Sequence, residues 1–199
     1  MNTPFPQPCD AATYLAWEAS QTERHELYQG LIRLRPGATA NHNTVCGNLV
    51  VALRQQLEGS DHRVFAIDLR VHVPSLNAYL YPDVMVDGTA PNHRNGRSLL
   101  ASTPVLVVEV LSDSTATWDR GGKFAAYRQL PSLQEYVLID PQARTVELYR
   151  RNAAQRFELY AWDARNPGPC EFASVGLQWP LEDVFEGVVM EPPTDVVAA

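Results

Sequence analysis

The stretch PVLVVEVL, residues 104–111, constrains the fold more than any other part of the chain. It carries no polar side chain apart from Glu109. An uninterrupted apolar run of this length predicts a strand that is covered on both faces, as in the centre of a mixed or parallel sheet. Such a strand requires packed layers on both sides, so we expect an α/β or α+β fold with a mixed sheet flanked by helices.

The N-terminal part predicts a helix and a hairpin ahead of that strand. Asp10 is a suitable N-cap for a short helix over residues 11–19. The stretch ERHELYQGLIRLRP alternates apolar and polar residues on both sides of Gln29 and Gly30. This pattern predicts a hairpin whose turn uses the positive φ that glycine allows.

The next segment, from position 41 to position 58, predicts an amphipathic helix. Its apolar side chains recur at steps of four residues, with Asn41 or Asn43 as the cap and Gly59 just beyond the end. The side chains of the apolar stripe are Val45, Leu49, Leu53 and Leu57.

The remaining segments complete the expected sheet. RVFAIDLRVHV alternates throughout and predicts one half-buried strand over residues 63–73, whereas TAPNHRNGRSL predicts a polar loop. YPDVMV, QEYVLIDP, TVELYRR and RFELYAW predict further strands, residues 119–130 predict a helix, and WPLEDVF predicts a closing helical turn.

Length and composition indicate one domain in a reducing compartment. The 199 residues predict a single domain over residues 11–187, with a flexible arm at 1–10 and a tail at 188–199. Three widely spaced cysteines form no disulfide framework or zinc pattern. The N-terminus lacks the basic and apolar regions of a secretory signal, and no apolar run approaches the ~20 residues that span a bilayer. We therefore expect a cytoplasmic protein with no membrane partner.

The net charge of −7 argues against strong non-specific binding of nucleic acid. Most of this charge, however, lies from Asp163 onward, where seven acidic residues accompany one basic residue. The part before Asp163 sums to −1, so it can still carry a local basic stripe.

Two carboxylates occupy positions where an acid is unexpected. Glu109 interrupts the apolar run, although a strand-end glutamate facing solvent or an arginine would also fit. Asp83 follows Pro82 at the start of a strand, where a simple turn residue is the alternative. If the two strands are neighbours, both acids and a backbone carbonyl form a site of hard oxygen ligands, which suits Mg²⁺ or Mn²⁺.

Lys123 is the only lysine among sixteen basic residues. Lysine and arginine differ where a compact ammonium group meets a reacting group. A helix that follows the Glu109 strand can fold back over the end of that strand and direct Lys123 toward the two acids. An ammonium there would orient a water molecule and stabilise charge that develops on a phosphate.

The ordered set of Pro82-Asp83, Glu109 and Lys123 resembles the PD-(D/E)xK nuclease superfamily, and within it the Uma-two family of restriction-endonuclease-like proteins. The supporting segments are HELYQG, YPDVMV, LVVEVLSDST, DRGGKFAAYR and EYVLIDP. The resemblance implies a central mixed sheet flanked by helices, a divalent-metal site and hydrolysis of phosphodiester bonds. It departs at Leu111, where the superfamily pattern would place the lysine.

The resemblance also implies residue roles. Asp83, Glu109 and the backbone carbonyl of Val110 would bind the metal, and Lys123 would be the catalytic lysine. Glu26 of HELYQG would bind a metal or position water, and Tyr127 would support the site.

Other polar residues near these motifs have two interpretations. Ser112 could contact a phosphate, although turn and capping bonds explain it more simply. Arg120 could contact the nucleic-acid backbone or be an ordinary surface residue. His25 could be a ligand but fits a partly exposed hairpin position, and His42 could face the site but fits a capping or packing role.

Three functions are compatible with these observations. The first is a metal-dependent endonuclease that acts on DNA as a homodimer, as related nucleases often do. The second is a catalytically degenerate module on the same fold that binds nucleic acid or another protein. The third is a metal-dependent hydrolase of another phosphoester.

Overall fold

The computed structural model describes residues 8–88, 100–101 and 103–190. The predicted polar loop at 89–99 lies outside these residues, as does most of the predicted arm and tail. None of the helices in the described ranges is long and apolar enough to cross a membrane.

The centre of the molecule is a six-stranded mixed sheet with the order β11-β10-β9-β8-β6-β3. Strand β8, the apolar run, pairs in parallel with β9 and antiparallel with β6. The prediction of a central strand in a mixed sheet is therefore confirmed. The six strands are β3 (Arg63–Ala66), β6 (Val84–Asp87), β8 (Pro104–Val110), β9 (Glu135–Asp140), β10 (Thr145–Arg151) and β11 (Phe157–Trp162).

A second, five-stranded sheet has the order β2-β1-β5-β4-β7. It begins with the predicted hairpin, in which Gln29 and Gly30 have φ angles of 50° and 78°. Two positive φ angles in a two-residue turn match the twist of the paired strands, so the hairpin prediction is confirmed. The five strands are β1 (His25–Tyr28), β2 (Leu31–Leu34), β4 (Arg70–Val73), β5 (Ala78–Leu80) and β7 (Leu100–Ala101).

The prediction of one continuous strand over residues 63–73 is wrong. The chain leaves β3 in the central sheet and enters β4 in the second sheet, with Ile67 and Asp68 between them at φ angles of 65° and 28°. Ile67 is 65% exposed, because the turn directs it away from both sheets. A positive φ is rare for a β-branched residue, and the alternating pattern gives no sign of it.

One helix packs on the second sheet, and another helix and a small hairpin pack on the central sheet. Helix α1 (Ala11–Glu18) begins as predicted, since the Asp10 side chain accepts a hydrogen bond from the Thr13 amide. Helix α2 (Ala40–Gln56) is capped by Thr39, whose hydroxyl accepts from the His42 amide, and not by Asn41 or Asn43. The hairpin β12 (Cys170–Phe172) and β13 (Leu177–Trp179) was not predicted, and helix α5 (Leu181–Val184) is the predicted closing turn.

The segment after β8 forms a helix with three parts. It comprises α3 (Ala116–Trp118), a π-helical turn (Asp119–Lys123) and α4 (Phe124–Tyr127). The prediction of a helix over residues 119–130 therefore places both ends about three residues too late and omits the π turn. π turns are rare and are often associated with functional sites.

Both faces of the central sheet are buried, by different layers. Leu106, Val108 and Val110 face a core that includes the apolar stripe of α2 and the β12–β13 hairpin. Val107 and Leu111 face the opposite core, which includes Tyr127 of α4. Because side chains alternate along a strand, Glu109 lies on the same face as Val107 and Leu111, beneath the three-part helix.

Candidate active site

The sheet register brings Asp83 and Glu109 together. Val84 of β6 pairs with Val108 of β8, so the same antiparallel register sets Asp83 opposite Glu109 one residue further on. Asp83 is 7% exposed and Glu109 is 1% exposed. The two acids therefore lie at the paired ends of neighbouring strands, and neither faces solvent.

Asp83 is held by three donors from different parts of the chain. Its Oδ1 lies 2.5 Å from Nη2 of Arg35, and its Oδ2 lies 3.1 Å from Nε2 of His42 and accepts from the Val110 amide at 2.8 Å. Burial alone would raise the pKa of Asp83. The hydrogen bond and charge of His42, with the charges of Lys123 and Arg35, outweigh burial and lower this pKa to about 2.

His42 is oriented by Cys46, one helical turn further along α2. The Cys46 sulfur lies 3.6 Å from Nδ1 of His42. Burial and the charge of Asp83 raise the pKa of this thiol, so it remains protonated and can donate to Nδ1. With Nδ1 facing the thiol, Nε2 of His42 points to Asp83 and can donate to its Oδ2.

Glu109 contacts the helix above it through both oxygens. Nζ of Lys123 donates to Oε2 at 2.9 Å, and the Tyr127 hydroxyl donates to Oε1 at 3.2 Å. Burial raises the pKa of Glu109 well above its usual range, and nearby acids add to this effect while Lys123 opposes it. Glu109 is therefore a carboxylate with strongly perturbed proton affinity, as is common at functional sites.

Lys123 is surrounded by carboxylates. Its Nζ lies 2.9 Å from Glu109, 3.1 Å from Asp119 and 3.3 Å from Glu26. Burial would lower the pKa of Lys123, but the charges of Glu109, Glu26 and Asp119 outweigh it and raise this pKa well above 10.5. The ammonium group is therefore charged at neutral pH.

Glu26 is positioned by the second sheet and by the three-part helix. Its Oε1 accepts from the Tyr81 amide at 3.0 Å, and its Oε2 accepts from Nε1 of Trp118 at 2.9 Å. The Arg33 guanidinium stacks over the Trp118 ring at 4.5 Å from its centre. Trp118 in turn packs on Gly122, where an added Cβ would lie only 1.7 Å from the ring. The site thus requires glycine at position 122.

These groups line a cavity of about 220 Å³ that opens between the β2 edge and the start of the three-part helix. Ser112 lies at its wall, where its hydroxyl contacts Ser114 at 3.1 Å and Thr115 at 3.0 Å. The charged and histidine side chains that line the cavity are Glu26, Arg33, Arg35, His42, Asp83, Glu109, Asp119 and Lys123.

Two residues considered from the sequence lie elsewhere. Arg120 forms an ion pair with Glu147 of β10 and is absent from the cavity wall. His25 is buried and not a partly exposed hairpin residue, since its Nδ1 lies 3.1 Å from Oε2 of Glu18. Both side chains of this pair are buried where α1 packs against β1.

Sequence reasoning missed Arg35, Asp119 and Trp118 and preferred a packing role for His42. Asp119 had a local signal, because it precedes Lys123 by four residues on a predicted helix. Arg35 and His42 had none, since they approach Asp83 from segments 48 and 41 residues away.

The cavity offers carboxylate oxygens, the type of ligand that Mg²⁺ and Mn²⁺ prefer. Four carboxylates (Glu26, Asp83, Glu109 and Asp119) and three permanent cations (Arg33, Arg35 and Lys123) line the cavity, which leaves a formal surplus of one negative charge before His42 is counted. Among the described residues, no group of three or more His, Cys, Asp or Glu side chains is arranged to hold a metal ion alone. Mg²⁺ typically needs only one or two carboxylates, because water and substrate phosphate supply the other ligands.

Comparison with known proteins identifies relatives along almost the whole chain. An uncharacterized protein of Synechocystis sp., slr1290, is 32% identical over 187 residues, which cover 94% of this chain and 96% of the relative. A second from the same organism, sll1609, is 39% identical over 141 residues, which cover 71% of this chain and 80% of that protein.

A solved structure shows the same fold. It is titled as a "putative nuclease belonging to DUF820" from Anabaena variabilis, and it superposes with a TM-score of 0.77 at 20% identity. The match covers 92% of this chain and 100% of that one, so the restriction-endonuclease-like fold predicted from the sequence is confirmed.

The Uma2 family model, described as "Putative restriction endonuclease", matches residues 11–186. The predicted resemblance is thereby confirmed, and the chain belongs to the Uma2 family.

Proposed function

We propose that this protein is a metal-dependent endonuclease that hydrolyses phosphodiester bonds in DNA. Its family and fold support a nuclease. The observation that carries the finer proposal is the contact between Lys123 and Glu109, on the same sheet face as Asp83 and beside an open cavity. An acid pair beside a protonated lysine is suited to phosphoryl chemistry, which depends on positioning and on neutralising charge.

Asp83, Glu109 and the backbone carbonyl of Val110 are the proposed ligands of a Mg²⁺ or Mn²⁺ ion. When bound, such an ion supplies positive charge that polarises a phosphoryl oxygen and acidifies water. Arg35 and His42 hold Asp83 in a single orientation, and Tyr127 does the same for Glu109. This support keeps two carboxylates in place that would otherwise repel each other.

Lys123 is proposed to orient the attacking water and to stabilise negative charge on the phosphate. Its three carboxylate neighbours keep it protonated, so it acts as a fixed donor and not as a general base. Glu26 is proposed to hold the same ammonium group, which it contacts at 3.3 Å, and to orient water. As water attacks phosphorus, the bond to one ester oxygen breaks. The attacking water loses a proton to solvent and the leaving oxygen takes one up from solvent, so the products are a phosphate monoester and a hydroxyl group.

The test is cleavage of DNA in the presence of Mg²⁺ or Mn²⁺ by the wild-type protein, Asp83→Ala and Lys123→Ala. Arg120→Ala is the matched control, because Arg120 lies on the same helix but does not line the cavity. We expect both site variants to lose at least a hundredfold in rate while the control retains activity. Activity retained in both site variants would refute the proposal. Cleavage of RNA of the same sequence tests the proposed preference for DNA. Light scattering of the free protein tests the homodimer that the resemblance implies.

One observation favours a second candidate, a catalytically degenerate binding module. Every carboxylate oxygen of Asp83 and Glu109 already accepts a contact from a protein group. Calorimetric titration with Mn²⁺ separates the two candidates. Binding that disappears in Glu109→Ala supports the nuclease, and a wild-type protein that binds no Mn²⁺ supports the degenerate module.

A further inference from the structure

A second cleft lies beyond the end of the helix that carries Lys123. It has a volume of about 490 Å³ and opens between α4 and the turn that joins β10 to β11. Among the described residues, three arginines, two glutamines and three aromatic residues line it, and no carboxylate does. We refer to it as the arginine cleft, after Arg128, Arg151 and Arg156.

The charge of this cleft contrasts with the rest of the protein. The chain as a whole carries a net charge of −7, whereas the arginine cleft carries three positive charges and amide donors. A concave surface of one sign concentrates ions of the opposite sign, even on a protein whose net charge repels them. We therefore expect the arginine cleft to attract anions although the protein as a whole is acidic.

The three arginines have different tasks. Arg151 is a structural residue, since its Nε donates to the Leu133 carbonyl at 2.8 Å and its Nη2 to the Leu130 carbonyl at 3.0 Å. Arg128 and Arg156 are exposed, and neither guanidinium forms an ion pair with another part of the chain that the structure describes. Two cations thus remain free to bind a ligand.

Aromatic rings that pack on one another line the cleft and maintain its shape. The Phe124 ring lies 4.4 Å from Tyr149 and 5.4 Å from Phe157, measured between centres, and Arg151 stacks on Phe157 at 4.6 Å. The Arg128 guanidinium lies over Phe124 at 5.8 Å. Packed rings do not collapse when a ligand is absent, so the arginines are presented in a preorganised arrangement.

We propose that the arginine cleft binds the sugar-phosphate backbone of a nucleic-acid strand, outside the cavity where cleavage takes place. The inference rests on the proposed nuclease function. Arg128 follows Lys123 by five residues, which corresponds to about 7.5 Å along a helix axis. A strand presents one phosphate per about 3.4 Å of duplex axis, so a strand that reaches the cavity carries further phosphates for the cleft to bind. Guanidinium groups are well suited to phosphate.

The test is the affinity of the double variant Arg128→Ala/Arg156→Ala for fluorescently labelled DNA, measured by anisotropy in EDTA so that no cleavage occurs. A 30-nucleotide single strand and a 30-base-pair duplex are titrated at several salt concentrations. We expect the Kd to rise at least tenfold. The slope of log K against log salt should fall by about 1.4 for the single strand or about 1.8 for the duplex, because two phosphate contacts are lost.

The matched control is Arg63→Ala/Arg165→Ala, which removes the same charge from exposed positions away from the cleft. Its Kd should stay within threefold of wild type. A double variant at 128 and 156 that binds DNA like this control would overturn the inference. Displacement of DNA by polyglutamate at equal charge concentration would also overturn it, because the cleft would then recognise acidic chains in general.

A small diester separates this inference from the proposed nuclease function. Bis(4-nitrophenyl) phosphate with Mn²⁺ reports on the cavity alone, and its hydrolysis should be equal in wild type and in Arg128→Ala/Arg156→Ala. If the wild type hydrolyses neither this diester nor DNA, yet DNA binding depends on the two arginines, the nuclease proposal fails and the inference stands. If the wild type hydrolyses the diester and Arg128→Ala/Arg156→Ala binds DNA as tightly as wild type, the inference alone fails.

Discussion

The Nζ atom of Lys123 lies 2.9 Å from Oε2 of Glu109, although 14 residues and a change from strand to helix separate them. The lone lysine of the chain is therefore buried against the one acid that interrupts the central strand. Each group alone would be costly to bury, and together they are tolerated because charge and hydrogen bonds compensate for lost hydration.

Removing the charge of Lys123 should destabilise the fold as well as abolish activity. Lys123→Gln leaves three carboxylates around a neutral group, and breaking a buried ion pair of this kind costs about 3–5 kcal/mol. Urea unfolding measures this loss. Arg120→Gln, which removes an exposed ion pair with Glu147, should cost less than about 1 kcal/mol. Equal midpoints for Lys123→Gln and wild type would contradict the buried network.

Arginine should not replace Lys123. The guanidinium is planar and larger than an ammonium group, so it does not reproduce the contacts of 2.9, 3.1 and 3.3 Å that Nζ makes with three carboxylates. Lys123→Arg is expected to retain the charge but lose at least a hundredfold in cleavage rate. A DNA-cleavage assay at saturating Mg²⁺ decides this, and near wild-type rates would show that charge alone is sufficient.

The two neighbouring glycines of the π turn should respond oppositely to alanine. Gly122→Ala places a methyl group 1.7 Å from the Trp118 ring, so Trp118 must move and lose its hydrogen bond to Glu26. We expect a loss of about 1–3 kcal/mol and altered tryptophan fluorescence. Gly121→Ala meets nothing within 4 Å and should be neutral or slightly stabilising. Thermal melts of the two variants provide a direct comparison.

Asp83 should make stability depend on acidic pH. Its pKa in the folded protein is about 2, below an ordinary value near 3.8, so the folded state favours its charged form. This contribution, about 2 kcal/mol, is fully present above the unfolded pKa and is lost as pH falls through about 2. Asp83→Asn lacks it, so urea unfolding should show the gap between wild type and variant narrowing from pH 6 to pH 2. A constant gap would contradict the assignment.

Glu135 should be important for stability at the other face of the central sheet. It is fully buried and accepts from Nε of Arg150 at 2.7 Å, from the Ser174 hydroxyl at 2.6 Å and from two backbone amides. Glu135→Gln turns one acceptor into a donor facing donors, which should cost about 3 kcal/mol in urea unfolding. Glu158→Gln, on the exposed side of β11, should change stability by less than about 0.5 kcal/mol.

The parts of the fold that sequence predicts well are those decided by local patterns. The β8 strand follows from continuous apolar character, and the turn at Gly30 follows from the backbone freedom of glycine. The break at Ile67 was missed because a tertiary constraint overrides an alternating pattern that favours one strand. The cap at Thr39 was missed because asparagine and threonine are similar N-caps and the sequence around them offered several.

The residues of the candidate site also differ in whether a local sequence pattern indicates them. Asp83, Glu109 and Lys123 were suggested by their unusual positions in local patterns. Arg35 was not suggested, and a capping or packing role was preferred for His42, because both reach Asp83 from segments that are distant in the sequence. A side chain that acts through a distant partner leaves no periodic signal in one sequence.

The π turn makes the direction of Lys123 depend on the number of residues that precede it. Each residue added to or removed from a helix rotates everything beyond it by about 100°. Deleting a single glycine between Trp118 and Lys123 would restore regular helical winding and turn the ammonium group away from Glu109. A change of length in this segment should therefore be harmful even where a single substitution such as Gly121→Ala is neutral. We expect natural variants of the family to keep the interval between Glu109 and Lys123 constant.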